Sequence, residues 1–194
     1  SEDQLGQAVW YSWQAYFWDF ANRQSDPQAL SLFAALSPGI VGHYPGVGVI
    51  THDFHWKRLI GALDERSDPT PRESTYDTPL ALRFGPDEYG RLVEEFRTRT
   101  GRSIAGSIQV NIVNGSAEDA ADWVEYMNAP NNGSNPGGGV DWAARRAANG
   151  HPAPYNIRYW EFGNEPHFTA NDIGHLTAWE YVARIRQFAP LMKA

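Results

Sequence analysis

Apolar positions along the chain follow two periods. In DEYGRLVEEFRTRT they recur at helical spacing, with Tyr89, Leu92, Val93 and Phe96 on one face. In SIQVNIVNG they alternate through Ile108, Val110 and Ile112, the period of a strand. Local punctuation sets the ends. Asp26 is placed to cap a helix over Pro27–Leu36, with Pro27 at its first position, and Gly101 stops the helix that begins near Asp87. Ser116 caps a third helix, AEDAADWVEYMNA, whose Glu118 and Asp119 lie in the first turn, where the helix dipole favours acids. Ile40-Val41 opens a short strand that runs into HYPGVG, and a loop-rich region follows over residues 45–84. The polar loop PNNGSNPGGG precedes a short helical DWAARRAANG, then the strand IRYWEFGN and a last helix over Leu176–Lys193. VWYSWQAYFWDF, residues 9–20, fits a helix and a buried strand equally. Strand–helix alternation without linker or internal repeat predicts one α/β domain over residues 1–194, built on a parallel sheet or barrel.

Composition narrows the function classes. Hydrophobic residues make up 42% and charged residues 20% of 194, which suits a chain with a real core. Aromatics reach 13%, with eight Trp, a content that suits carbohydrate surfaces and aromatic cores alike. The formal charge of −7 and the lack of a basic stripe argue against a nucleic-acid partner. With no cysteine, disulfides and thiolate metal sites are excluded and the redox compartment is left open. No apolar run approaches the ~18 residues of a membrane span, so no membrane partner is expected. SEDQLGQ lacks the features of a signal peptide, and cytoplasmic and secreted locations are not distinguished.

Chemistry concentrates in NIRYWEFGNEPHF, residues 156–168. Glu161 lies within the strand, where pairing with an arginine such as Arg158 is the structural expectation. Glu165 follows Asn164 and precedes Pro166, so the strand is ending there. In parallel α/β folds the strand C-termini hold the chemistry. Strict alternation would put Asn164 and Glu165 on opposite faces, and Gly163 lets the strand bulge or stop so that both face one substrate. A carboxyl beside aromatics in a partly dry pocket keeps a proton for a leaving group, the part of a general acid.

YWEFGNEP resembles the acid/base strand of the barrel glycoside hydrolases whose fourth strand ends in Asn-Glu. YPG after a strand, HWKRLIGALDER, FGPDEYGRLVEEF, VNIVNGSAEDAADWVEYMNAP and WAARRAANGHPAPYNIRYWEFGNE follow in an order similar to the family 51 α-L-arabinofuranosidases, over roughly residues 30–194. The resemblance implies a (β/α)8 TIM barrel, Glu165 as general acid/base and Asn164 as the holder of a sugar hydroxyl beside the scissile bond. The sequence departs from the family at strand two. Where the family has Arg-Phe/Tyr-Pro-Gly-Gly, this chain has His43-Tyr44-Pro45-Gly46-Val47, so His43 replaces an arginine that supports the active-site carboxylates.

Retaining glycosidases place two carboxyls about 5–5.5 Å apart. Glu161, four residues before Glu165 on one strand, would be about 13 Å away. Glu88, Glu118 and Asp119 sit at helix starts as capping acids. By the resemblance the nucleophile belongs to strand seven, and such a barrel needs about 250 residues. The expectation is a partial barrel, strands 1 or 2 to 4 with their helices, that carries the acid/base half of the site and is inactive alone. The expected partner is a carbohydrate substrate, with self-association of the half barrel. Two readings stay beside it: a β-xylosidase or glucuronidase-like glycosidase, and a non-catalytic carbohydrate-binding or degenerate fragment.

Other residues carry weaker signals. Tyr44, His55 and Trp56 are candidates to line a sugar subsite, with core packing the equal alternative for Trp56. Asn114, at the end of the third strand, is either a pocket residue or a turn. His43, His52, Asp53 and His55 match no established metal-ligand spacing, so neither metal nor cofactor is expected. Gly137-Gly138-Gly139 lacks the strand-to-helix setting of a phosphate cradle.

Overall fold

The computed structural model describes residues 6–8, 17–36, 38–46, 52–67, 83–135, 137–168 and 174–193. Residues 9–16, most of the segment that fitted two periods, lie outside these, as do residues 47–51 and 68–82 of the 45–84 loop. Four parallel strands form the sheet: β1 (Gly6–Ala8), β4 (Ile40–Tyr44), β5 (Ala105–Val110) and β6 (Tyr159–Phe162), side by side in that order. A small antiparallel pair, β2 (Trp18–Asp19) and β3 (Gln24–Ser25), precedes the first helix. The helices are α1 (Pro27–Leu36), α2 (Pro86–Thr100), α3 (Ala117–Asn128), α4 (Trp142–Ala148) and α5 (Ala178–Leu191). Helix α1 lies between β1 and β4 in the chain, α2 between β4 and β5, and α3 and α4 between β5 and β6, whereas α5 follows β6. The sheet of described residues does not close on itself.

Helix ends follow the local rules. Asp26 accepts the N–H groups of Gln28 and Ala29 at 3.0 and 2.8 Å, and Ser116 accepts that of Asp119 at 3.0 Å. Gly101 ends α2 in the left-handed conformation. Thr177 and Glu180 form a reciprocal capping box on α5. Glu88 also acts as a cap, accepting Gly85 N–H at 2.8 Å, but it does more. It takes a two-pronged bond from Arg66 at 2.9 and 3.0 Å, with both side chains buried.

The core lies between one face of the sheet and helices α2 and α3. Tyr44, Ile108 and Trp160 are in register across three strands. Tyr44 stacks on Tyr89 of α2 at 4.5 Å, and Trp123 of α3 packs against both Tyr44 and Trp160. Trp56 stacks on Trp123 at 5.7 Å. Burying an aromatic side chain of this size contributes about 2–3 kcal/mol, so this cluster dominates the attachment of helices to sheet.

A bulge in β4 decides what faces where. Val41 pairs with Gly106 and Tyr44 with Ile108, so three steps on β4 oppose two on β5. The hydroxyl of Tyr89 fills the gap, accepting Ser107 N–H at 2.9 Å and lying 2.6 Å from the carbonyl of Val41. The inserted residue carries Tyr44 onto the helix face. His43, with φ 59°, is left on the opposite face.

Candidate active site

The opposite face of the sheet is polar. Ser107 and Gln109 of β5 point to it, alternating with Ile108 and Val110, and Glu161 of β6 lies in register with Gln109. The Glu161 carboxylate reaches back over β5. It accepts from the Ser107 hydroxyl, from Gln109 Nε2 at 3.2 Å, and lies 3.0 Å from His43 Nδ1. Nδ1 also lies 3.1 Å from Gln109 Nε2, so it donates to the carboxylate when protonated and can accept from the Gln109 amide when it is not. The hydrogen bond to Glu161 raises the His43 imidazole above its ordinary 6.5 against partial burial, and the carboxylate's charge adds to the rise. Burial pushes Glu161 up, but hydrogen bonds from His43 and Ser107, the charge of His43 and the Gln109 amide together hold it below its ordinary 4.5. Ser107 donates to Glu161 and not to His43, so the trio is not a nucleophile–base relay.

Glu161 therefore pairs across the sheet with His43. Arg158, the expected partner, instead lies over the ring of Tyr159.

Beyond Phe162 the chain turns at once. Gly163 takes φ 71°, and a Cβ there would come within 2.8 Å of Ile112 Cγ2, so backbone and neighbour both require glycine. The strand stops where the sequence placed the break. Glu165 follows in the left-handed region at φ 47°, rare for a residue with a side chain. Its carboxylate is exposed, with Asn164 Nδ2 at 3.4 Å from Oε2. The dry pocket expected around Glu165 is not formed by the described residues. Bonds from Phe168 N–H to Glu165 O at 2.8 Å and from Leu176 N–H to Pro166 O at 2.6 Å hold the turn from its far side.

The other predicted site residues separate. Tyr44 and Trp56 are fully buried on the helix face, so the reading that they line a subsite gives way to core packing. The bulge accounts for Tyr44, and Trp56 is fixed by its stack on Trp123 and a bond from Nε1 to the carbonyl of Asp119 at 3.2 Å. His43 is exposed on the polar face beside Glu161. Asn114 is exposed in the loop after β5, where Asn111 Oδ1 accepts its N–H at 2.9 Å. His52 lies against the carbonyl of Asn164, and His55 Nε2 is 3.4 Å from Asp53. No three His, Asp or Glu among the described residues are grouped to hold a metal.

Gln109, Ser107 and Asn111 were missed in the sequence, although Ser-x-Gln-x-Asn alternates as strictly as the isoleucines and valine between them. The signal was a polar strand face with no solvent-facing reason for it.

A family model described as the alpha-L-arabinofuranosidase 1 domain matches residues 33–194. The probable alpha-L-arabinofuranosidase C of Aspergillus fumigatus is 30% identical over 150 residues, which cover 77% of this chain and 26% of that protein. The intracellular exo-α-(1→5)-L-arabinofuranosidase of Bifidobacterium longum is 29% identical over 151 residues, 77% of this chain and 24% of that protein. The solved family 51 arabinofuranosidase of Xanthomonas axonopodis pv. citri matches the fold over 100% of this chain and 37% of its own, with a TM-score of 0.76 at 21% identity. The chain thus spans about a quarter of the length of these curated relatives. A match that takes in β4, β5 and β6, the helices between them and the Asn164–Glu165 turn places the chain in the α-L-arabinofuranosidase family.

Proposed function

We propose that this chain supplies the acid/base half of a retaining glycosidase site acting on α-L-arabinofuranosyl groups. The observation that carries the reading is the turn after β6, where Glu165 stands exposed at a strand C-terminus beside the Asn164 amide. In the first step the Glu165 carboxylic acid gives its proton to the glycosidic oxygen as the C–O bond breaks, and a second carboxylate takes the anomeric carbon. In the second step Glu165, now a carboxylate, removes a proton from the water that displaces that carboxylate. Asn164 holds the sugar hydroxyl next to the anomeric carbon. Asn114 and His43, at the ends of the two neighbouring strands, extend the same wall.

The nucleophile belongs to a strand outside these residues. Glu161, the other carboxylate of β6, is engaged by Ser107, Gln109 and His43. The chain alone therefore binds sugar weakly and hydrolyses nothing, because unaided water does not replace a positioned carboxylate. Incubation of the purified chain with an aryl α-L-arabinofuranoside tests this, with Glu165→Gln as control. Turnover that survives removal of host glycosidases and disappears in Glu165→Gln would overturn the division of the site.

A further inference from the structure

His52 is buried, at 0% exposure, in the loop that leaves the sheet after β4. Its Nε2 lies 2.9 Å from the carbonyl oxygen of Asn164, 112 residues away. A carbonyl can only accept, so the proton of that bond is on the imidazole, and the neutral ring carries its lone pair on Nδ1. Nδ1 is itself buried and has no hydrogen-bond partner among the described residues. A leucine or phenylalanine would fill the volume without burying that atom. The polar ring gains only through Nε2, and what Nε2 holds is the peptide between the two residues of the proposed site.

That peptide sits in a conformation which a bond from outside the turn would steady. The turn has two left-handed residues, Gly163 and Glu165, and only the first is a glycine. The backbone bonds at Gly163, Phe168 and Leu176 all run within residues 161–176, so they shape the turn without tying it to the rest of the site wall. The bond from His52 comes from the β4 side of the sheet, across β5. It fixes the Asn164 carbonyl, and with it the directions in which the Asn164 amide and the Glu165 carboxyl leave the backbone.

We propose that His52 is a positioning residue for the Asn164–Glu165 turn, donating Nε2–H to the Asn164 carbonyl so that amide and carboxyl address one sugar. It touches no reacting atom. Its catalytic meaning rests on the role proposed for Glu165; its structural claim does not.

Nitrogen NMR of the purified 15N-labelled chain, at a pH where the ring is neutral, reads the tautomer, and Nε2–H is expected at His52. Amide exchange at Phe168, whose N–H closes the turn on Glu165, should quicken about tenfold in His52→Phe while Leu92 and Ile108 hold their rates. His52→Gln, which restores an N–H donor, should return Phe168 to within about threefold of the unsubstituted chain. An Nδ1–H tautomer, or Phe168 exchange equal in the chain and both variants, overturns the proposal. If His52→Phe does not fold, the tautomer and the Gln variant decide. Titration with methyl α-L-arabinofuranoside, followed at the Asn164 side-chain amide, should show binding in the chain and His52→Gln and a loss in His52→Phe. No response even in the unsubstituted chain would count against the sugar reading of Asn164, while tautomer and exchange still decide the role of His52.

Discussion

His43 makes one contact of the polar sheet face depend on pH. An arginine at this position would remain charged at every pH the protein meets, whereas an imidazole opposite Glu161 makes the contact conditional. Because His43 is raised above 6.5, its contribution to stability is complete below pH 6.5 and is lost as pH rises through the raised value. Because Glu161 is lowered beneath 4.5, its contribution is complete above pH 4.5 and is lost as pH falls through the lowered value. The two overlap fully between pH 4.5 and 6.5. The His43 side chain is 50% exposed, so solvent screening keeps the pair to less than ~1 kcal/mol. The difference in melting temperature between the unsubstituted chain and His43→Gln should therefore be small, greatest inside that window and shrinking on both sides. A difference independent of pH would mean that His43 acts by packing and not by charge.

At the level of elements, the sequence disclosed what is decided locally and concealed what is decided across the sheet. The caps at Asp26, Ser116 and Gly101 were readable because each involves residues a few positions apart. The end of β6 at Gly163 was readable for the same reason. The face of Tyr44 was not, because it depends on a bulge filled by the hydroxyl of Tyr89, a residue 45 positions on. Trp56 was ambiguous because only tertiary packing on Trp123 separates a core indole from a sugar platform. Glu88 was read as a cap and is one, but its larger role is with Arg66, from a loop that shows no regular period. Arg66 also reaches the carbonyl of Gly61 at 3.1 Å, so the pair ties that loop to the start of α2. Arg66→Met should leave a buried carboxylate without its main partner and cost about 3–5 kcal/mol. Chemical denaturation measures it, and a change below ~1 kcal/mol would show that Glu88 is satisfied by the Gly85 cap and by Arg23, whose Nη2 lies 3.4 Å from Glu88 Oε1.

For the whole molecule, the described residues build a sheet with two open sides, at β1 and β6. The outer edge of β6 pairs with no strand among them, and an unpaired edge offers its N–H and C=O groups to any other chain. Apolar surface is also exposed on the helix that follows β6. Trp179 is 86% exposed, and Val182, one turn along α5, is 41% exposed. Phe168, in the segment between β6 and α5, is also exposed. An isolated leucine on a surface needs no explanation, but a tryptophan this bare, one helical turn from a valine, is surface that water does not favour. We expect the purified chain to self-associate at tens of micromolar, with a light-scattering mass above the 21.7 kDa of one chain. Trp179→Glu should lower that mass, since it puts a charge into the apolar strip while keeping a good helix former near the start of α5, where an acid suits the dipole. The β6 edge would persist in that variant, so a residual, concentration-dependent mass is expected from strand pairing. A stable monomer with a sharp unfolding transition in the unsubstituted chain would contradict both routes and mean that these residues cover their own edge and helix face in solution.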